Sequence, residues 1–125
     1  MRCLFLATAL WHACAAYYFL LRPRFMLERL TDEVPVSPIA IDVLRFLGAL
    51  NVGYVVVAVA GAWPATPAAG ASVVLAFANG SQLAVDLYAH QSGRWKPQLK
   101  AITVLDGFFT LAYAGYLACL ALTRG

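Results

Sequence analysis

Charged side chains are scarce in this sequence and make up only 12% of its 125 residues. Soluble globular domains typically carry about 25% charged residues, so this composition excludes an ordinary soluble fold. The hydrophobic fraction of 62% and the mean hydropathy of +0.74 agree with that exclusion. The net charge of +3 comes without a basic array, and we therefore expect no nucleic-acid partner.

Metal-binding and nucleophilic motifs are also missing. The two histidines and three cysteines show no HxxH, HExxH or CxxC spacing, so we expect no metal site and no cofactor. We expect His12 and His90 to differ in depth by about 14 Å, which is too far for both to ligate one haem. Neither a glycine-rich phosphate loop nor a Ser/His/Asp arrangement is visible in the sequence.

The apolar residues fall into four continuous runs. Each run is near the length of about 20 residues that crosses about 30 Å of hydrocarbon. The runs predict transmembrane helices at about residues 3–21, 39–62, 68–90 and 99–122. We therefore predict an all-α polytopic membrane protein, with one domain over residues 1–125 and an interfacial linker at 22–38. Short connections favour an antiparallel bundle of four transmembrane helices.

Basic residues are distributed unevenly between the connections. The first connection contains Arg22, Arg24 and Arg29, and the third contains Arg94, Lys96 and Lys100. The second connection has no basic residue, and the termini contribute only Arg2 and Arg124. The positive-inside rule then predicts that loops 22–38 and 91–98 are cytoplasmic and that both termini lie outside.

The third run contains a stripe of polar side chains. Asn79, Gln82, Asp86 and His90 are separated by three, four and four positions, which places them on one helix face. A carboxylate that faces lipid costs roughly 2.5–3.5 kcal/mol. The stripe is therefore predicted to face the interior of the bundle.

Together, the four runs predict one polar layer in the cytoplasmic half. A rise of about 1.5 Å per residue gives depths from about 6 Å for Asp86 to about 16 Å for Asn79. The candidate ligand-binding residues are Arg45, Asn79, Gln82, Asp86, Asp106 and His12. His12, as a single histidine within a span, is more typical of a hydrogen-bonded core residue than of a ligand.

Two interpretations of this layer remain open. In the first, Arg45, Asp86 and Asp106 form an ion cluster that only stabilises the bundle, with one acid retaining its proton. In the second, the layer surrounds a cavity, open toward the cytoplasmic leaflet, that receives the polar head of a lipid-like molecule.

Several short segments carry a family resemblance. They are the linker Phe25-Met26-Leu27-Glu28-Arg29-Leu30, the helix opening Arg45-Phe46-Leu47-Gly48, and Gly80 followed by Asp86-Leu87. In this order they resemble the small four-helix scaffold family of ergosterol biosynthesis, whose members tether sterol-modifying enzymes in the membrane. The Arg-x-x-Gly opening is also similar to that of DoxX-like and other uncharacterised four-helix bacterial membrane proteins. The resemblance implies a scaffold that does not itself catalyse, although Asp106 and His12 have no counterpart in this pattern.

We therefore expect a small integral membrane scaffold or accessory protein that binds a lipid-like molecule. Its expected partners are membrane lipids together with another membrane protein or a second copy of the chain. The second copy is expected to pack on a seam of small residues at Ala76, Gly80 and Ala84.

The alternative is a small membrane-embedded enzyme of the isomerase or cyclase type. Asp86 or Asp106 is its candidate catalytic residue, acting as a general acid on a lipophilic substrate. Arg45, Gln82 and Asn79 are the residues expected to orient that substrate.

Overall fold

The computed structural model describes residues 1–33, 35–97 and 100–124. The helices are α1 (Arg2–Leu21), α2 (Pro23–Leu30), α3 (Pro38–Ala62), α4 (Ala68–Gln91) and α5 (Lys100–Arg124). All except α2 are long and apolar enough to cross a membrane. This confirms the all-α prediction with four membrane-spanning helices, and the helix ends lie within about two residues of the expected ones.

The four long helices form an up-and-down bundle with two ends. The linker end contains α2 and residues 92–97, and the terminal end contains Met1 and the turn at residues 63–67. Proline occupies the first turn of both α2 and α3, where its missing N–H leaves no helical hydrogen bond unmade. The predicted interfacial linker at residues 22–38 thus contains the short helix α2.

Two glycines allow α1 and α3 to pack closely along their length. A Cβ atom on Gly48 would lie 2.8 Å from Leu20 Cγ, and one on Gly61 would lie 2.6 Å from Phe5 Cε1. Contacts this short leave no room for a side chain, so the approach of these helices depends on both glycines. Gly48 lies toward the linker end and Gly61 toward the terminal end, so the two helices stay close at both ends.

Helices α4 and α5 form the second closely packed pair. A Cβ atom on Gly80 would lie 3.5 Å from Thr110 Cγ2, and one on Gly107 would lie 3.7 Å from Leu83 Cδ1. Gly80 therefore faces α5 of its own chain, although Ala84 of the same predicted seam is exposed. The fold thus consists of two helix pairs, α1 with α3 and α4 with α5.

The pairs meet most tightly at the terminal end. The buried apolar cluster there consists of Phe5, Ala9, Ala58, Leu75, Phe109 and Tyr113. The rings of Phe5 and Tyr113 lie 5.5 Å apart between centroids, and Thr8 Oγ1 lies 2.9 Å from the Tyr113 hydroxyl. We call this region the terminal core.

Lys96 connects α2 and the residue Asp32 that follows it to the connection between α4 and α5. Its backbone N–H donates to the Leu30 carbonyl over 2.8 Å, and its ammonium group donates to the Glu28 carbonyl over 2.9 Å. The ammonium group also pairs with Asp32 at 2.7 Å. A cation at the last carbonyls of a helix complements the helix dipole, so Lys96 fixes the end of α2 against residues 92–97.

Candidate functional site

A cavity of about 280 Å³ lies between the four long helices in the half of the bundle nearer the linker end. Its lining residues are Trp11, Ala15, Phe19, Leu30, Leu44, Leu47, Leu50, Asn51, Tyr54, Ser81, Gln82, Val85, Asp86, Trp95, Ile102 and Asp106. Most of this surface is apolar, and a few polar groups are set into it. That combination is typical of small-molecule binding sites.

Asp86 and Asp106 are the charged members of the lining, and both are buried, with 4% and 3% of their surface exposed. Helix α4 supplies Asp86 and helix α5 supplies Asp106, and the two carboxyl groups lie close enough to interact. The indole N–H of Trp11 donates to Asp106 Oδ1 over 2.9 Å. Asp86 Oδ2 is buried and has no hydrogen-bond partner within the described part of the chain. Asp106 is thus held by α1, whereas Asp86 lies beside Thr103 and Asp106 on α5 and keeps an unpartnered oxygen.

Arg45 does not join these acids, so the predicted Arg45–Asp86–Asp106 ion cluster is wrong. Its side chain is 56% exposed and pairs at 3.5 Å with Asp42, three residues earlier on α3. Three-residue spacing puts these two side chains on one face, and that face turns away from the bundle. The described lining of the cavity consequently contains two acids and neither lysine nor arginine.

His12 lies behind the cavity and not in its lining. Its Nδ1 lies 2.7 Å from Asn51 Oδ1, and the Asn51 amide nitrogen donates to the Leu47 carbonyl. Because the amide oxygen only accepts, His12 Nδ1 carries the hydrogen of this bond. The ring also packs against Tyr54 at 5.2 Å between centroids. His12 thus orients Asn51, and Asn51 faces the cavity in its place.

The predicted polar stripe of α4 is divided between two environments. Gln82 and Asp86 line the cavity. Asn79 is fully buried but lies outside the lining, and its amide donates to the Leu75 carbonyl over 2.8 Å. His90 lies beyond the cavity toward the linker end, where its ring meets the edge of Trp95 at 5.7 Å. The structure therefore brings Gln82, Asp86 and Asp106 together and leaves Arg45, Asn79 and His12 outside the lining.

Trp11 lines the cavity and binds Asp106, but it was not among the predicted site residues. A tryptophan N–H within a span needs an acceptor, and only a few residues in this chain supply one at that depth. This requirement was the available signal for pairing Trp11 with an acid of another helix. Asn51 and Tyr54 are further polar members of the lining that were not among the predicted site residues.

The cavity opens sideways between α3 and α4. Leu47 on α3 is 38% exposed and Val85 on α4 is 60% exposed, although both also line the cavity. At the linker end, Leu30 and Trp95 close it, and Leu30 is only 5% exposed.

A second, more polar depression lies on the surface of the linker end. It has a volume of about 490 Å³ and is lined by Thr31, Asp32, Glu33, Ser92, Gly93, Arg94, Trp95, Lys96 and Pro97. Charges of both signs line it, in contrast to the cavity. We call it the linker groove. Trp95 contributes to both the groove and the cavity and forms the wall between them.

Metal binding finds no support in the residues that are described. Among them, no group of three or more His, Cys, Asp or Glu side chains is arranged to hold an ion. The carboxylate and amide groups of the cavity are able to form hydrogen bonds and to interact with a charge, and they are surrounded by apolar side chains.

Comparison with known proteins identified no relative of this chain. No protein-family model matches this chain, and no curated protein or solved structure matches it significantly.

Proposed function

We propose that this integral membrane protein holds the polar head of a lipid-like molecule in the cavity between its four long helices. The observation that carries this proposal is the buried acceptor Asp86 Oδ2, which lacks a described partner and belongs to a residue that lines the cavity. A buried polar atom without a partner is costly, and a bound head group that donates to it removes that cost.

The size of the cavity supports binding of a head group and not of a whole lipid. A volume of about 280 Å³ equals that of about nine water molecules at roughly 30 Å³ each. Small-molecule sites typically measure about 300–1,000 Å³, so this cavity is just below that range. The tail of the molecule therefore extends through the opening between α3 and α4 into the surrounding lipid.

The first experiment is native mass spectrometry of the protein extracted gently from its own membranes. We expect a bound lipophilic mass that is lost in the Asp86→Leu variant and kept in Asp42→Leu. Asp42 is a suitable control because it is an exposed acid on the outer face of α3. A protein that carries no small molecule in repeated gentle extractions contradicts the proposal.

The biological role that we propose is that of a scaffold or accessory protein. The linker groove supports this role, because a surface with charges of both signs beside the membrane suits a polar contact with another protein. In the same mass spectra, a protein that co-purifies at fixed stoichiometry is the expected result. Substitution of the exposed Arg94 by Glu is expected to release it.

We also propose that the linker end is cytoplasmic and that both termini lie outside, as the basic residues of the two linker-end connections indicate. Labelling with a membrane-impermeant thiol reagent tests this orientation in a variant whose three native cysteines are replaced by serine. Ala65→Cys in that background should react in intact cells, and Ser92→Cys should react only after lysis. The reverse pattern would overturn the orientation.

A second candidate function is catalysis, and the closeness of two buried acids favours it. Paired carboxyl groups in an apolar site are able to share a proton, which makes one of them a general acid for isomerisation or cyclisation. In this case Asp86→Asn and Asp106→Asn abolish conversion of the bound molecule while the bundle stays folded. Release of the bound molecule unchanged from the wild-type protein after prolonged incubation counts against catalysis.

A further inference from the structure

We propose that the cavity selects molecules whose head group donates hydrogen bonds, and that it holds a protonated amine more tightly than an alcohol or an acid with the same tail. This inference rests on the proposed function, because it names the class of lipophilic molecule that the cavity binds. Three properties of the cavity lead to it: the charge of its lining, the unpartnered acceptor on Asp86 and the route of access.

The charge of the lining is one-sided. Asp86 and Asp106 are its acids, and its described residues include neither lysine nor arginine. Two basic residues of the linker-end half are engaged elsewhere, since Arg45 pairs with Asp42 and Lys96 pairs with Asp32. Charges interact strongly in an apolar interior, so a phosphate or carboxylate head is repelled here and a cation is attracted.

The hydrogen-bond donors of the lining are only partly used within the protein, since Tyr54, Gln82 and Trp95 make no side-chain hydrogen bond in the described part of the chain. The Trp11 indole donates to Asp106, the Asn51 amide donates to the Leu47 carbonyl, and the Ser81 hydroxyl donates to the Ala78 carbonyl. Asp86 Oδ2, by contrast, is a buried acceptor with no described partner. An ammonium group suits this oxygen because it brings both hydrogen-bond donors and a positive charge, whereas an alcohol brings a donor alone.

The route of access selects for a lipophilic body. Leu30 and Trp95 close the cavity toward the linker end, whereas Leu47, Leu50 and Val85 border the opening between α3 and α4. All three border residues are apolar and exposed on the outer face of membrane-spanning helices. The opening faces the lipid and not the water, so it does not admit a small water-soluble amine directly. An amphiphilic amine enters from the membrane, and its tail then lies between α3 and α4.

The test compares three probes with one tail: dodecylamine, dodecanol and dodecanoate. The full-length protein is placed in nanodiscs of zwitterionic lipid doped with each probe at equal mole fraction, near neutral pH, and bound mass is measured by native mass spectrometry. We expect dodecylamine to bind about tenfold or more tightly than dodecanoate, with dodecanol between them, because hydrogen bonds to charged groups are the strong ones.

Variants connect the preference to the cavity. Asp86→Asn should reduce the advantage of dodecylamine over dodecanol to about twofold or less, because the neutral amide removes the charge that attracts ammonium. The matched control Asp42→Asn should keep the full preference. Val85→Trp narrows the opening and should lower the occupancy of all three probes, whereas Val74→Trp, at another exposed position of α4, should not. Circular dichroism establishes that each variant keeps its helices.

The outcomes separate the two proposals. If dodecanoate binds as tightly as dodecylamine and its binding is lost in Val85→Trp, the cavity still binds lipophiles but the proposed selectivity is overturned. An amine preference that survives in Asp86→Asn overturns it as well. If no probe binds to the wild-type protein above the level seen in Val85→Trp, the proposed function fails together with this inference.

Discussion

The terminal core and the half of the bundle around the cavity are built from the same four helices, yet they solve the problem of buried polar groups differently. In the terminal core, Thr8 donates to the Leu4 carbonyl over 2.9 Å, and its oxygen lies 2.9 Å from the Tyr113 hydroxyl. Thr8 has only one hydrogen to donate, so Tyr113 is the donor in the second bond. Around the cavity, Asp86 keeps an acceptor without a described partner. The Ser72 hydroxyl on α4, near the terminal end, is also buried without a described partner, but among such residues in the described part of the chain only Asp86 lines the cavity.

The difference arises from the way in which the two helix pairs separate. Gly48 and Gly61 keep α1 and α3 close at both ends, and Gly80 and Gly107 bring α4 and α5 together. The cavity therefore lies between the pairs and not within either of them. At the terminal end, Phe5 and Tyr113 fill the same space. Large side chains are present in both halves, but Phe5 and Tyr113 fill the space between the pairs, whereas Trp11, Phe19 and Trp95 only line it.

The largest expected effect comes from removing the central side chain of the terminal core. Phe5 is fully buried and touches both the Tyr113 ring and the site of Gly61. We expect Phe5→Ala to lower the free energy of unfolding by about 3 kcal/mol, the lower end of the range for buried Phe, because lipid provides little hydrophobic driving force.

This change is measured by unfolding in mixed micelles with increasing denaturing detergent. Phe77→Ala is the matched control, because Phe77 is 76% exposed on the outer face of α4. Equal losses in the two variants would mean that the terminal core is not the more tightly packed half.

Glycine substitutions test whether α1 and α3 are as close near the cavity as at the terminal end. A Cβ atom on Gly48 meets the backbone nitrogen of Leu20 at 3.0 Å, and a backbone atom cannot rotate away. We expect Gly48→Ala to destabilise the bundle by about 1–2 kcal/mol through overpacking. Thermal unfolding in detergent measures the shift.

Gly53 on the same helix provides the control for helix propensity. A Cβ atom there meets nothing within 4 Å, so Gly53→Ala should leave the stability unchanged or raise it slightly. If Gly48→Ala proves as harmless as Gly53→Ala, the two helices are farther apart near the cavity than the structure indicates.

The fold itself could be predicted from the sequence because it depends on coarse properties. Continuous apolar runs of membrane-spanning length fix the number of helices, and prolines and charged residues fix their ends. Four-residue spacing also predicted correctly that Asp86 faces inward, since a carboxylate is too costly to leave in lipid. Such arguments need only helical periodicity, which the sequence displays directly.

The candidate site could be predicted only in part, because it depends on how each helix is rotated against its neighbours. Arg45 was predicted beside the acids on the basis of its depth, but depth does not determine the face, and Arg45 points outward to Asp42. His12 and Asn79 lie at suitable depths, yet Asn51 stands between His12 and the cavity. Trp11 was missed because its partner Asp106 is far away in sequence.

Replacing each acid separately tests whether Asp106 stabilises the fold and whether Asp86, as we propose, serves binding instead. A buried acid with an unpaired oxygen is a cost to the empty protein, so we expect Asp86→Leu to raise the free energy of unfolding by about 1 kcal/mol. Asp106→Leu is expected to lower it by about 1–2 kcal/mol, because the Trp11 N–H is left buried without an acceptor.

Both variants are compared with the wild type by detergent-induced unfolding after bound lipids have been removed. A loss of stability in Asp86→Leu comparable to that in Asp106→Leu would indicate that both acids are structural, which would remove the main support for the cavity as a binding site.

The smallest effect is the hydrogen-bond coupling that joins α1 to α5 in each half. A double-mutant cycle with Thr8→Val and Tyr113→Phe should give a coupling energy of about 0.6 kcal/mol, the average for hydrogen bonds between membrane helices. A cycle with Trp11→Phe and Asp106→Leu should give about twice that value, because the acceptor is a carboxyl group in an apolar surrounding.

Each cycle compares single and double variants under identical detergent conditions, so that changes unrelated to the pair cancel. If the Thr8–Tyr113 pair couples more strongly than Trp11–Asp106, the acid is held more weakly than its geometry indicates. Trp11 would then be free to release Asp106, and both carboxyl groups, not Asp86 alone, would be available to a molecule in the cavity.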